Sequence, residues 1–67
     1  MKIILNHKEE TFNADTLTLA DIIRIKKFTF RMLVTKVNGQ VVKVDERDKV
    51  FVKDGDNVEV IHLISGG

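Results

Sequence analysis

One stretch of this chain, DTLTLADIIRIKK (residues 15–27), carries a helical repeat, and it lies between segments that alternate as strands do. Leu19, Ile22 and Ile23 fall on one face by the i, i+3, i+4 rule, so a helix here has an apolar stripe to bury. Thr18 is placed as its N-cap, and Asp21 three residues on completes a capping box, standing where glutamate is commoner. Leu17 before the cap and Ile22 in the second turn form a hydrophobic staple. The helix is short and ends near Lys26 or Lys27. It must cover one face of a sheet to bury its stripe, which gives a two-layer α+β domain.

The strands are read on either side of it. Residues 2–6 (KIILN) put Ile3 and Leu5 on one face and Ile4 on the other. His7-Lys8 is a polar turn, and Glu9 to Asn13 return with Phe12 inward, making a hairpin. After a loop around Phe28, residues 32–37 form a strand in which Leu33, Thr35 and Val37 share a face. Asn38-Gly39 is the strongest hairpin signal in the chain, because a type I′ turn needs positive φ at both central positions. Val41, Val42 and Val44 continue the returning strand. The charged run DERDK leads into Val50-Phe51-Val52, read as a single helical turn or a short extended piece. Asp54-Gly55-Asp56 is a turn, and residues 57–64 form the last strand. That strand is expected beside the first, parallel to it and at the sheet centre, since these two are the most apolar. A small mixed sheet packed on one helix in this order is the ubiquitin-like β-grasp arrangement, here expected as one domain over residues 1–67.

Composition removes several classes of function. A chain of 67 residues buries only about 60% of the surface its unfolded form exposes, so each apolar residue matters. With 43% hydrophobic and 31% charged residues it reads as globular. Without cysteine it has no disulfide, thiolate zinc site, iron–sulfur cluster or cysteine nucleophile. His7 and His62 lack a partner at the spacing of a familiar metal motif and read as solvent-facing, so no metal site and no catalytic residue is expected. The apolar run at the N-terminus is too short for a signal-peptide core, and none approaches a membrane span; a soluble, cytoplasmic protein is expected. Charge is uneven: residues 1–43 hold eight Lys/Arg against four Asp/Glu, and residues 44–67 hold three against six. The basic cluster of Arg24, Lys26, Lys27 and Arg31 reads as a solvated helix end favoured by the helix dipole rather than as a nucleic-acid patch, since Trp and Tyr are absent. The chain has no paired base and nucleophile and no phosphate-cradling glycine loop, so an enzyme is not expected.

The sequence ends HLISGG, with Gly66 and Gly67 behind a strongly apolar strand. A free α-carboxylate is ionised at neutral pH and can attack an activated phosphorus. The resulting acyl-phosphate carbonyl is then open to a second nucleophile, one hard step split into two. Both steps require the last carbonyl inside another protein's site while the folded body stays outside. Two glycines make the narrowest thread and accept whatever φ a channel imposes. Extended, Ser65 to Gly67 reach about 10 Å at roughly 3.3–3.6 Å per residue.

MKIILN, TLADII, VNGQVV, KDGDNVEVI and the terminal Gly-Gly, in this order and over essentially the whole chain, resemble the ThiS family of sulfur carriers in thiamine biosynthesis. Ser65, where many members have a third glycine, and the lack of proline after Val42 are departures that bear on subfamily. The resemblance implies that a ThiF-type adenylyltransferase activates the Gly67 carboxylate with ATP. Sulfur from a cysteine desulfurase relay then replaces AMP to give a thiocarboxylate, which ThiG, thiazole synthase, uses to build the thiazole ring. No cofactor is held permanently, and ATP belongs to the activating enzyme. Alternatives are a MoaD-like carrier for molybdopterin or another sulfur pathway, a ubiquitin-like modifier, and a plain interaction module.

Strand parity supplies a candidate docking surface. If Val58 and Val60 point into the core, Ile61 and Leu63 point to the opposite face, as does Ile4 on the first strand. One helix cannot cover both faces, so Ile4, Ile61 and Leu63 form an expected exposed patch that either docks a partner or is covered by a loop or a second copy.

Overall fold

The computed structural model describes residues 1–28 and 32–63; Arg31, residue 64 of the expected last strand, Ser65, Gly66 and Gly67 lie outside the described residues. The elements in chain order are β1 (Lys2–Leu5), β2 (Lys8–Thr11), β3 (Thr16–Thr18), α1 (Leu19–Ile25), β4 (Leu33–Val37), β5 (Gln40–Val42), β6 (Phe51–Lys53) and β7 (Asn57–His62), with a 3-10 turn over Val44–Glu46. The main sheet runs β2-β1-β7-β4-β5. β7 lies at its centre, parallel to β1 and antiparallel to β4. This is the mixed sheet on one helix expected of a β-grasp domain, and the central parallel pair is where the sequence places it.

α1 starts where its cap dictates. The Asp21 N–H donates to Thr18 Oγ1 at 3.0 Å, and the Thr18 N–H donates to Asp21 Oδ2 at 3.2 Å, a complete capping box. Lys26 caps the C-terminal end and Lys27 takes a left-handed φ of 58°, which stops the helix. Leu19 and Ile22 from the helix enter a core with Ile3, Leu5, Phe12, Val42, Val52, Val58 and Val60. Leu17 and Ile23 pack against its margin. Of the basic cluster, Arg24 pairs with Asp21 at 3.1 Å and Lys26 with Glu10 at 2.6 Å.

Thr35 is a fully buried polar residue in the middle of β4. Its hydroxyl donates to the Val42 carbonyl at 2.8 Å and accepts from Arg47 Nε at 3.1 Å, while Arg47 Nη2 donates to the Leu33 carbonyl at 2.6 Å. Arg47 thereby ties the loop after β5 to β4, and its own carbonyl accepts from the Ala20 N–H at the helix start. A buried hydroxyl satisfied in this way avoids the desolvation cost of an unmade bond.

Several boundaries differ from those expected from the sequence. The first turn is Asn6-His7, with φ of 50° and 70°, and not His7-Lys8, because asparagine tolerates the left-handed region and opens a two-residue hairpin one position earlier. β3 is additional: Thr16–Thr18 pairs antiparallel with Phe51–Lys53 in a separate two-stranded ribbon. Val44 does not continue β5. It begins the 3-10 turn at 73% exposure, because the Glu46 N–H bonds back to the Lys43 carbonyl. Of the two readings of Val50-Phe51-Val52, the extended one holds, with Phe51 and Val52 in β6 and the helical turn before them.

Thr18→Ala should cost about 1 kcal/mol, the usual loss for a helix cap, measured by urea unfolding. Hydrogen bonds from the Thr18 backbone and side chain, helped by Arg24, hold the Asp21 carboxyl below its usual value of 3.8. The box therefore contributes in full above that value and is lost as pH falls through the lower folded-state value. Unfolding curves of the wild type and Asp21→Asn should differ at neutral pH and converge in strong acid.

Candidate functional site

The candidate site is the end of the sheet from which the chain runs on towards Gly67. It is built on β7, whose residues alternate: Val58 and Val60 point into the core, and Glu59 and Ile61 point to the face that α1 does not cover. On the β4 side the strand is secured to its last described residue, since the Leu63 N–H donates to the Met32 carbonyl at 2.9 Å.

On the other side β1 stops at Leu5 while β7 continues to His62. Asn6 bridges the mismatch with its side chain. The Val60 N–H donates to Asn6 Oδ1 at 2.8 Å, and Asn6 Nδ2 donates to the Val60 carbonyl at 3.2 Å. One amide thus takes the place of the strand residue that the turn removes. The Asn6 N–H also donates to the Val58 carbonyl at 2.9 Å, so its backbone and side chain together hold the main chain of Val58 and Val60 on the β1 side of β7. The segment that leads to Gly67 therefore leaves from an anchored root.

The uncovered face around that root is apolar. Ile61 is 41% exposed and lies opposite Val34 on β4; Leu63, 45% exposed, bonds to Met32, itself 54% exposed. The next row toward the other end of β7 is charged, with Lys36 opposite Glu59. Ile4 is also exposed, at 37%, but its register partner is Asn57, four residues before Ile61. At about 3.3 Å per residue that sets Ile4 about 13 Å further down the sheet, beyond the Lys36–Glu59 row. The expected single patch of Ile4, Ile61 and Leu63 is therefore corrected: Ile61 and Leu63 belong with Met32 and Val34, and Ile4 lies apart. The parity argument fixes a face but not a position along it, and the parallel register with β1 decides the position.

Asn6 and Met32 escaped the sequence reading. Asn6 ends the strand expected over residues 2–6, and its polar side chain beside a turn is the available signal. Met32 immediately precedes β4, and its partner across the sheet depends on the register with β7. Among the described residues no three His, Cys, Asp or Glu side chains cluster so as to hold a metal ion, and no helix is long and apolar enough to cross a membrane. A groove of about 590 Å³ lined by Val37, Val41, Val42 and Val50, with Lys43 and Glu46 at its margin, lies by the β4–β5 turn, at the other end of β4 from the root.

The ThiS family model matches residues 2–67, which include every element described and the two final glycines. The chain belongs to the ThiS family. Sulfur carrier protein ThiS of Bacillus subtilis strain 168 is 24% identical to it over 63 residues, covering 94% of this chain and 96% of that protein. The crystal structure of the thiamine biosynthesis protein ThiS from Geobacter metallireducens matches the fold with a TM-score of 0.89 at 29% identity over the whole of both chains. A solution structure of a thiamine biosynthesis protein from the same organism gives 0.81 at 29% identity, over all of this chain and 88% of that one. The agreement over the full length of the crystal structure makes the β-grasp assignment independent of any single strand boundary.

Replacing Asn6 with Ala removes both side-chain bonds to Val60 and should cost about 1–2 kcal/mol. Amide exchange should accelerate at Val60 more than at Val42, which lies at the far edge of the sheet. Equal acceleration at the two positions would mean that Asn6 does not act locally on the root of the tail.

Proposed function

We propose that this ThiS-family chain is a sulfur carrier for thiazole formation in thiamine biosynthesis, with the sulfur held at the carboxyl group of Gly67. A ThiF-type adenylyltransferase uses ATP to convert the Gly67 carboxylate to an acyl-adenylate, with pyrophosphate as leaving group. A sulfur nucleophile supplied through a cysteine desulfurase relay then attacks the acyl carbon, AMP leaves, and a thiocarboxylate results. ThiG, thiazole synthase, is the recipient. The family match through residue 67 carries this reading, together with the thiamine and sulfur-carrier roles named for its relatives.

Two features of the chain support the chemistry. It has no cysteine, so no side-chain thiol competes with the main-chain terminus as the place to hold sulfur. The apolar group of exposed Met32, Ile61 and Leu63, with half-buried Val34 between them, lies at the point from which the final residues depart. Threading three residues into a recessed site costs on the order of 1–2 kcal/mol each in backbone entropy. Contacts of that patch with the activating enzyme would offset the cost and aim the tail.

Incubation with ATP, a ThiF-type enzyme and a sulfur source should raise the intact mass by about 16 Da as one oxygen is exchanged for sulfur. An unchanged mass with an enzyme active on its own carrier would contradict the reading. The double variant Ile61→Ser, Leu63→Ser should keep its fold, because both positions are exposed. It should bind the activating enzyme about tenfold or more weakly. Unchanged affinity would remove the patch from the account.

A further inference from the structure

We propose that Met32 is a peroxide-sensitive modification site whose conversion to the sulfoxide disables docking of the carrier, an inference that rests on the docking role given above to the Met32, Val34, Ile61 and Leu63 group. The sequence holds two methionines and no cysteine, tryptophan or tyrosine, so thioether sulfur is its most readily oxidised group. The two methionines are placed differently. Met1 is half-buried and packs against the core, whereas Met32 is 54% exposed on the face that the helix leaves open. A peroxide in solution therefore meets Met32 first.

The chemistry balances without a cofactor. A lone pair on the Met32 sulfur attacks one oxygen of hydrogen peroxide and the O–O bond breaks. The sulfur keeps that oxygen as a sulfoxide, the proton it carried passes to the departing oxygen, and that oxygen leaves as water. Sulfur is oxidised by two electrons and the peroxide is reduced by two. The product exchanges a flexible apolar side chain for a polar, chiral one. In the free carrier the new S=O group is solvated, and the fold does not change because Met32 is outside the core cluster. Under a docked partner the same group must be desolvated in the middle of an apolar contact, beside Ile61 and Leu63, without a partner for its oxygen. Methionine sulfoxide reductases, one for each sulfoxide epimer, reverse the modification.

A practical consequence concerns mass measurements. Oxidation and conversion of a carboxylate to a thiocarboxylate both add about 16 Da, so a peroxide-treated carrier mimics a charged one until its peptides are mapped.

The test uses the full chain. Wild type and Met32→Leu are treated with hydrogen peroxide, freed of it with catalase, mapped by peptide mass and titrated with a ThiF-type adenylating enzyme. Treatment should place the oxygen on Met32 before Met1 and weaken wild-type binding about tenfold or more. Incubation with both reductases should restore it, and the treated-to-untreated ratio for Met32→Leu should stay near unity whatever that variant's starting affinity. Wild type that binds equally well with Met32 oxidised overturns the proposal, as does an equal loss in Met32→Leu or a carrier unfolded by treatment. The Ile61→Ser, Leu63→Ser variant separates the two levels. If it fails to bind while the oxidised carrier binds normally, only the oxidation site falls; if both bind normally, the docking surface falls with it.

Discussion

A seven-residue helix against a five-stranded sheet can cover one face and no more, and the rest of the molecule follows from that inequality. The capping box at Thr18 and Asp21 fixes where the helix starts, and Leu19 and Ile22 fix which sheet residues it buries. Because side chains alternate along a strand, burying Val58 and Val60 commits Ile61 to the other side. The apolar surface left there is a consequence of how the core is filled. In so small a domain the same strand serves as the centre of the fold and the base of the tail.

The root of the tail depends on a second, more local arrangement. β1 ends at Leu5 and its turn comes immediately, yet β7 runs to His62. An ordinary hairpin would leave the backbone groups of Val60 that face β1 without a strand partner, but the Asn6 amide supplies one acceptor and one donor where a strand residue would have stood. The positive φ at Asn6 puts the turn there and the side chain of the same residue continues the pairing. On the proposed function this has a purpose: a leash that must enter another protein's site gains from an anchored base, since only the residues beyond it then need ordering.

Much of this was legible in the sequence because it is encoded locally. Thr18 and Asp21 are three residues apart, Asn38-Gly39 is a two-residue turn, and the alternation in Asn57–His62 is a period of two; each acts through its immediate neighbours. The central parallel pair was legible for a different reason, that both strands are apolar enough to require cover. What escaped depends on distant pairing. Thr16–Thr18 is a strand because Phe51–Lys53 comes beside it, and nothing within three residues announces that. Val44 looks like a third strand valine until the Glu46 N–H turns back on Lys43. Ile4 has the right parity for the patch and the wrong height, because its level is set by pairing with Asn57. The terminal glycines and the family resemblance are what the proposed tail rests on, whereas Asn6 and Met32 at its root came into view only with the register of three strands.

The central claim is that the reactive group is the last carbonyl of the chain and that the folded body serves to present it. The most direct measurement is complementation of a thiazole-requiring strain lacking its own carrier, by this chain carrying one additional alanine after Gly67, with the intact mass of the recovered protein read alongside. The account predicts growth with the unextended chain and none with the extended one, even though the body folds and docks as before. Growth supported by a chain recovered with its extra residue still attached would contradict it.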